Sequence, residues 1–279
     1  MTATLSYQDR SDRGKLRFTG EQRAWFLHQI MTQAFEDIAP GEARDTSLIT
    51  AHGRMVGYLE TVATEEAIYA HFEPELKETL PEAIRKYIIA TRVEVVDADD
   101  MSLVLVVGES WREVATAAAP DALLHPTESL GAPAGYIWIE GDAAVVIAQL
   151  AAAGAETATE DDLETLRVRN GVPRWGRDMN EKTIPFEAGI EDRTISFTKG
   201  CYVGQEAMSK INFRGKVNRK LRLVSVSGSA QPGDELTSRD EVVGRITSVI
   251  DGHGLAMLNH SVEEGARLGA PDAEVTVAP

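Results

Sequence analysis

The stretch Lys199-Gly200-Cys201-Tyr202-Val203-Gly204-Gln205-Glu206 holds the only cysteine of the chain, set between two glycines. Glycine lets the backbone turn sharply and lets a ligand approach closely. Val203 to Ile211 contains no breaker after Gly204 and predicts a short helix. Cys201 is then expected at or just before a helix N-terminus, where unpaired N–H groups favour an anion. Lys199 adds a positive charge two residues away. Both features favour the thiolate, which makes Cys201 a candidate reactive group and Lys199 its promoter. The plainer alternative is a buried, inert thiol in a turn. Polar, glycine-rich surroundings weigh against it.

Working outward, composition bounds the rest. A chain of 279 residues, 43% hydrophobic and 26% charged, is that of an ordinary globular protein with room for two or three domains. One cysteine allows no intramolecular disulfide and cannot by itself hold an iron–sulfur cluster. Met1 to Phe18 is polar and of mixed charge, unlike a signal peptide. The most apolar helical run, Ala143 to Ala153, is too short for a membrane span. A cytoplasmic protein is expected, with no metal site and no membrane contact.

The net charge of −16 excludes an extended nucleic-acid surface. The charge is uneven, however. Lys210, Arg214, Lys216, Arg219, Lys220 and Arg222 follow the cysteine motif with no acid among them. They read either as a solvated face leading into a strand or as a local patch for an anionic ligand.

Patterning gives an α+β body. Strands are expected at 15–18, 47–50, 55–62, 67–72, 93–96, 103–107 and 135–139. Helices are expected from Thr19, from Pro74 to about Tyr87 with Pro81 a candidate split or kink, and over 111–119, 142–153 and 161–170. Trp25, Phe26, Ile30 and Met31 read as core, and 121–133 as a surface connection. From Val172 to Thr198 the chain is turn-rich, the kind of long irregular segment that is often functional. After Arg219, short β-like runs punctuated by Pro232-Gly233-Asp234, Asp251-Gly252 and Glu264-Gly265 predict a small barrel or sandwich. The boundaries expected are a body over 1–213, in two interleaved parts, and a β-domain over 214–279.

Common chemistries are missing. No dinucleotide fingerprint follows a strand, no Gly-Lys-Ser/Thr occurs, and the histidines show no i, i+4 pair. What remains is a resemblance. The run from Ile195 to Glu206 resembles the signature of the YgfZ family, folate-binding relatives of the glycine-cleavage T-protein (aminomethyltransferase). Gly20, Phe26-Leu27 and Thr32, the Gly53-Arg54-Met55 hairpin, Leu166-Arg167 with Gly171-Val172-Pro173 and Asp178, and Ile184-Pro185 with Glu187 and Gly189 extend the likeness. So do Pro232-Gly233-Asp234 and Val243 to Ser248 in the C-terminal part.

The resemblance implies a cloverleaf around a channel that holds tetrahydrofolate, beside a small β-barrel. It also implies a role in iron–sulfur cluster assembly or repair in client enzymes, including tRNA-modifying ones. The expected partners are folate and those clients, with no direct nucleic acid, and the protein is expected to be a monomer. Two departures stand out. Where T-proteins carry an acidic pair, this chain has Gly57-Tyr58, which counts against aminomethyl transfer. Where they carry the glutamate that holds the pterin ring, it has Arg169, so the pterin must be held differently. The resemblance marks Gly200, Tyr202, Gly204, Gln205, Glu206 and Arg169 as candidate folate-binding residues. Gln205 and Glu206 either hydrogen-bond the pterin or cap the helix. The basic cluster is a candidate receiver for the anionic glutamate tail. The rival readings are a one-carbon transferase, favoured by an acidic side chain in the channel, and a non-catalytic folate-sensing or client-binding module.

Overall fold

The computed structural model describes residues 4–279. In chain order the strands of the body are β1 (Ser6–Asp9), β2 (Gly14–Thr19), β3 (Ala43–Ile49), β4 (Met55–Ala63) and β5 (Ile68–Phe72). They continue as β6 (Glu94–Asp97), β7 (Met101–Val107), β8 (Leu123–Thr127), β9 (Ala134–Glu140) and β10 (Glu156–Thr157). The longer helices are α1 (Arg23–Ile30), α2 (Thr79–Arg85), α3 (Trp111–Ala118), α4 (Ala144–Ala152) and α5 (Glu160–Arg169). Two single turns, α6 (Pro185–Ala188) and α7 (Glu191–Thr194), precede α8 (Gln205–Arg214). The C-terminal strands are β11 (Arg219–Ser229), β12 (Glu235–Ser238), β13 (Glu241–Ile250), β14 (His253–Asn259), β15 (Arg267–Ala270) and β16 (Asp272–Val277).

The strands form two five-stranded sheets, ordered β3-β4-β5-β2-β6 and β10-β1-β7-β9-β8, and a closed barrel, β11-β14-β13-β12-β15-β16. The fold is therefore α+β with a C-terminal β-barrel, as the sequence predicts. The sheets interleave in the chain, since β1 joins the second sheet while β2 to β6 build the first. Strand β4 is buried along nearly all its length, so both of its faces are covered. One face meets α1, α2 and their neighbours through Leu59, Phe26 and Leu80. Helices α3 and α4 cover the outer face of the second sheet around Val104, Val106 and Ile137. Leu236, Ile246 and Val275 fill the barrel, and Val168 of α5 packs on Leu221 and Leu255 at its side. Each such side chain contributes about 1.5–3 kcal/mol by leaving water.

Several expectations are corrected. Helix α1 starts at Arg23 after Gln22, with no side-chain cap, and Thr19 instead ends β2. Trp25 is 43% exposed and is not core. The helix expected from Pro74 breaks into a 3₁₀ turn, Pro74–Leu76, and α2, with Pro81 in the first turn of α2, where no intrahelical N–H is needed. The supposed surface connection 121–133 contains β8, whose His125 is fully buried. Strands β1, β10, β12 and β15 carry too few residues to show a period-2 pattern. Position 213, where the body was expected to end, lies in the last turn of α8. Among the described residues no helix is long and apolar enough to cross a membrane.

Candidate functional site

The cysteine motif forms a clamp more than a pocket. Helix α8 begins at Gln205 behind Gly204, which has φ 84°, so Cys201 lies four residues before the first helical residue and gains no N-terminal N–H groups of its own. A Cβ on Gly204 would come 2.5 Å from the Thr50 carbonyl oxygen, so only glycine lets the loop lie against the β3–β4 hairpin. Lys199 is buried, and its ammonium donates to the carbonyls of His28, Met31 (2.6 Å) and Gln33 (3.0 Å), at the end of α1. Burial draws it down to about 8, against the upward pull of the Glu36 carboxylate. It also lies 4.8 Å from the centre of the Tyr202 ring. Lys199 is thus spent on holding the loop to α1, which corrects its assignment as the thiolate promoter.

The other motif residues follow suit. Tyr202 is core, its hydroxyl pushed up to about 12 by burial. Gln205 reaches back to the Lys199 and Gly200 carbonyls at 3.4 Å, and Glu206 is exposed and pairs with Lys210 at 2.6 Å. Neither side chain caps α8, since Gln205 fastens the loop before the helix and Glu206 pairs along it. Cys201 itself is exposed.

The ionisable groups gather elsewhere. Between the two sheets lies a cavity of about 40 Å³. It is narrow because charged side chains fill it. Arg13, buried in the turn between β1 and β2, donates to Glu73 at 2.7 Å and to Glu60 at 3.3 Å. Arg174 donates to the other Glu73 oxygen at 3.2 Å and pairs with Glu160, which also binds Arg10 at 3.0 Å. On α5, Glu164 is gripped by Arg167, which also binds Asp178 at 2.7 Å. Burial opposes the charge on Glu73, but its three arginines outweigh that and lower its pKa.

Sheet register explains the cavity floor. Pairing sets Asp45, Glu60 and His71 side by side across β3, β4 and β5. Tyr58, two residues before Glu60, shares its face. Tyr58 donates to Asp45 at 2.5 Å, and the Arg193 guanidinium lies 5.5 Å from the Tyr58 ring centre. Thr127 of β8 donates to Glu60. Burial pushes Glu60 up to about 7, with Arg13 pulling it down and Asp45 pushing it further up. Behind it, His71 and His125 are fully buried, 4.9 Å apart between ring centres, and burial holds His71 well below the usual histidine range and His125 at about 3. Both are therefore neutral.

None of Lys199, Gly200, Cys201, Tyr202, Gly204, Gln205 or Glu206 lines this cavity. Nor does Arg169, which points to the barrel and sits 3.9 Å from Asp251. Its expected folate contact is therefore not one made in this cavity. The six basic residues also lie elsewhere: Arg219 pairs with Glu187 at 2.8 Å and Arg222 with Glu264 at 3.1 Å. Lys216, Lys220 and Arg222 line a separate pocket with Phe186 and His260, so the run is more than a solvated face. Sequence reasoning missed Glu60, Glu73, Arg13, Arg174 and Arg193, which come from separate segments with no shared motif. One signal was present, a glutamate inside the buried apolar strand Met55–Ala63.

Against known proteins, the whole described chain superimposes on the crystal structure of the glycine cleavage system aminomethyltransferase T from Bartonella henselae. The TM-score is 0.89 at 14% identity, covering 100% of this chain and 86% of that one. The fold is that of the aminomethyltransferases. Residues 218–279 match the family described as CAF17, C-terminal beta-barrel domain. A putative chloroplastic transferase of Arabidopsis thaliana is 26% identical over 94% of this chain, which spans 66% of that relative's length, just under two thirds. An aminomethyltransferase of Thermosynechococcus vestitus is 26% identical over 86% of this chain and 71% of its own. These relatives and the fold support a T-protein-like protein.

Proposed function

We propose that the protein binds a tetrahydrofolate in the central cavity and serves as an accessory factor for iron–sulfur cluster assembly or repair in client enzymes, tRNA-modifying ones among them. Cys201 is its reactive thiol. The observation that carries this reading is Tyr58, an aromatic ring hydrogen-bonded to Asp45, on the cavity wall where the resemblance expects the acid of aminomethyl transfer. The residues present fit a folate. Arg10 Nε, Arg13 Nε and two Arg193 nitrogens are buried without hydrogen-bond partners, leaving donors for ring and carboxylate acceptors. Tyr58, Tyr136 and Trp175 offer apolar faces for a flat ring. When bound, the folate supplies a one-carbon carrier nitrogen.

Cys201 lies outside the cavity and is open to a partner protein. One thiolate cannot ligate a cluster alone, so the reading is of an accessory factor and not a scaffold. On this reading the protein works in the cytoplasm as a monomer, meeting its clients transiently and touching neither nucleic acid nor membrane. Deleting the gene should lower the activity of iron–sulfur enzymes, and Cys201→Ala should fail to restore them. Full restoration by the alanine variant would favour a non-catalytic folate-sensing or client-binding module instead.

One observation favours the transferase alternative: a carboxyl, Glu60, does line the cavity close to neutrality in pKa. Formation of methylene-tetrahydrofolate from an aminomethylated carrier protein would establish that reading. The accessory reading predicts none.

A further inference from the structure

The cavity is lined by four glutamates, Glu60, Glu73, Glu160 and Glu164, and they are not equivalent. Glu73 is held by Arg13 and Arg174, Glu160 by Arg10 and Arg174, and Glu164 by Arg167 Nε at 2.7 Å with a second bond from the same guanidinium. Glu60 has only one guanidinium within hydrogen-bond reach, and that contact is long. Arg13 reaches one oxygen at 3.3 Å, and a neutral hydroxyl, Thr127, holds the other. Each oxygen keeps a second lone pair. Its charge and its partners are therefore the ones a ligand can change.

A pterin presents two adjacent N–H donors, a ring N–H and an amino group, on one edge. Two parallel N–H donors match the two oxygens of a carboxylate in the same fork geometry that joins arginine to carboxylate. The position at which the resemblance expects such an acid is Arg169, and that side chain faces Asp251 of the barrel. Resting on the folate reading, we propose that Glu60 fills that role, accepting the paired N–H donors of the pterin and giving up its proton as the ligand binds. The proton passes to solvent, and no covalent bond is made or broken in the ligand.

Glu60 sits among several titratable and charged groups. Asp45 faces it from β3, Tyr58 from β4, His71 from β5, Tyr136 from β9, Arg13 from the β1–β2 turn and Arg193 from α7, with neutral Thr127 on β8. His71 is held far below neutrality, and burial pushes Tyr136 up to about 12 and Tyr58 well above the usual tyrosine range. Asp45 stays raised by burial against the pull of Arg193, and it accepts the hydrogen bond of the Tyr58 hydroxyl, so the Glu60→Gln variant is what separates the two carboxyls.

The test is calorimetric titration with 5-formyltetrahydrofolate between pH 6 and pH 8, in two buffers of different ionisation enthalpy. The wild type should release close to one proton on binding at pH 6, and its Kd should tighten about tenfold from pH 6 to pH 8. Glu60→Gln should bind at least tenfold more weakly at pH 8, with no proton release and no pH slope. Tight binding by the wild type without proton release would overturn the proposal, a result that needs no variant to fold. So would equal proton release by Glu60→Gln. Absence of binding by either protein would overturn the folate reading itself, and this assignment with it.

Discussion

The cysteine motif and the central cavity divide between them two roles that the sequence alone would assign to one place. The motif is contiguous and easily seen, yet Lys199, Tyr202 and Gly204 serve to fasten α8 against α1 and the β3–β4 hairpin. The cavity has no contiguous motif, yet it gathers Arg13, Glu60, Glu73 and Arg193 from distant segments into a buried ionic network. Much of the motif is thus mechanical, and it leaves Cys201 exposed at its tip. The cavity gives stability away, since desolvating charges is costly and their pairing only partly offsets it. Such an arrangement is expected of a binding site.

The largest effect should come from the clamp. Gly204→Val places a branched side chain in the left-handed region and against the Thr50 carbonyl, and should cost about 3 kcal/mol or more in urea unfolding. Gly200→Ala, at a position with nothing within 4 Å and no positive φ, should stay within about 0.5 kcal/mol. Equal losses for the two would break the view of the motif as a clamp. Lys199→Met should follow at about 2.5 kcal/mol, because three carbonyls lose their donor.

The cavity should show itself in pH dependence. Glu60 has a folded pKa of about 7, above its ordinary 4.5, so its contribution to stability is fully present below about 4.5 and lost as pH rises through 7. The difference in unfolding free energy between wild type and Glu60→Gln should therefore fall by about 2 kcal/mol from pH 4.5 to pH 7. His71 and His125 act in the opposite sense, their depressed values costing stability as pH falls below about 6.5, and they cancel in that difference. The smallest effect on stability belongs to Cys201→Ala, within about 0.5 kcal/mol at an exposed site. The same variant should nevertheless fail in the iron–sulfur complementation assay.

How far the sequence foretold this follows from local physics. Long strands such as β4, β7 and β13, bounded by turn residues, are legible because a buried apolar run between breakers has few other outcomes. The barrel was legible from its turns, although β12 and β15 were too short to see. Strand β8 was hidden because His125-Pro126 lacks apolar alternation and Pro126 suits only an edge, the position it holds in its sheet. In the site, the exposure of Cys201 agrees with its polar surroundings. The direction of Lys199 and of Arg169 was not legible, since both are fixed by partners far along the chain, His28 and Asp251. Glu60 was not legible because its importance comes from strand register, not from neighbours in sequence.

If folate binds in the cavity and not at the motif, two variants should separate the regions in calorimetric titrations with tetrahydrofolate: Arg193→Gln and Cys201→Ala. Arg193 is a mild probe, since two of its buried nitrogens have no hydrogen-bond partner and its nearest carboxylate contact, to Asp45, is 3.6 Å long. Arg193→Gln should weaken binding at least tenfold, while Cys201→Ala should bind within twofold of the wild type. Loss of binding in Cys201→Ala, with Arg193→Gln unaffected, would contradict the assignment of the folate site to the cavity.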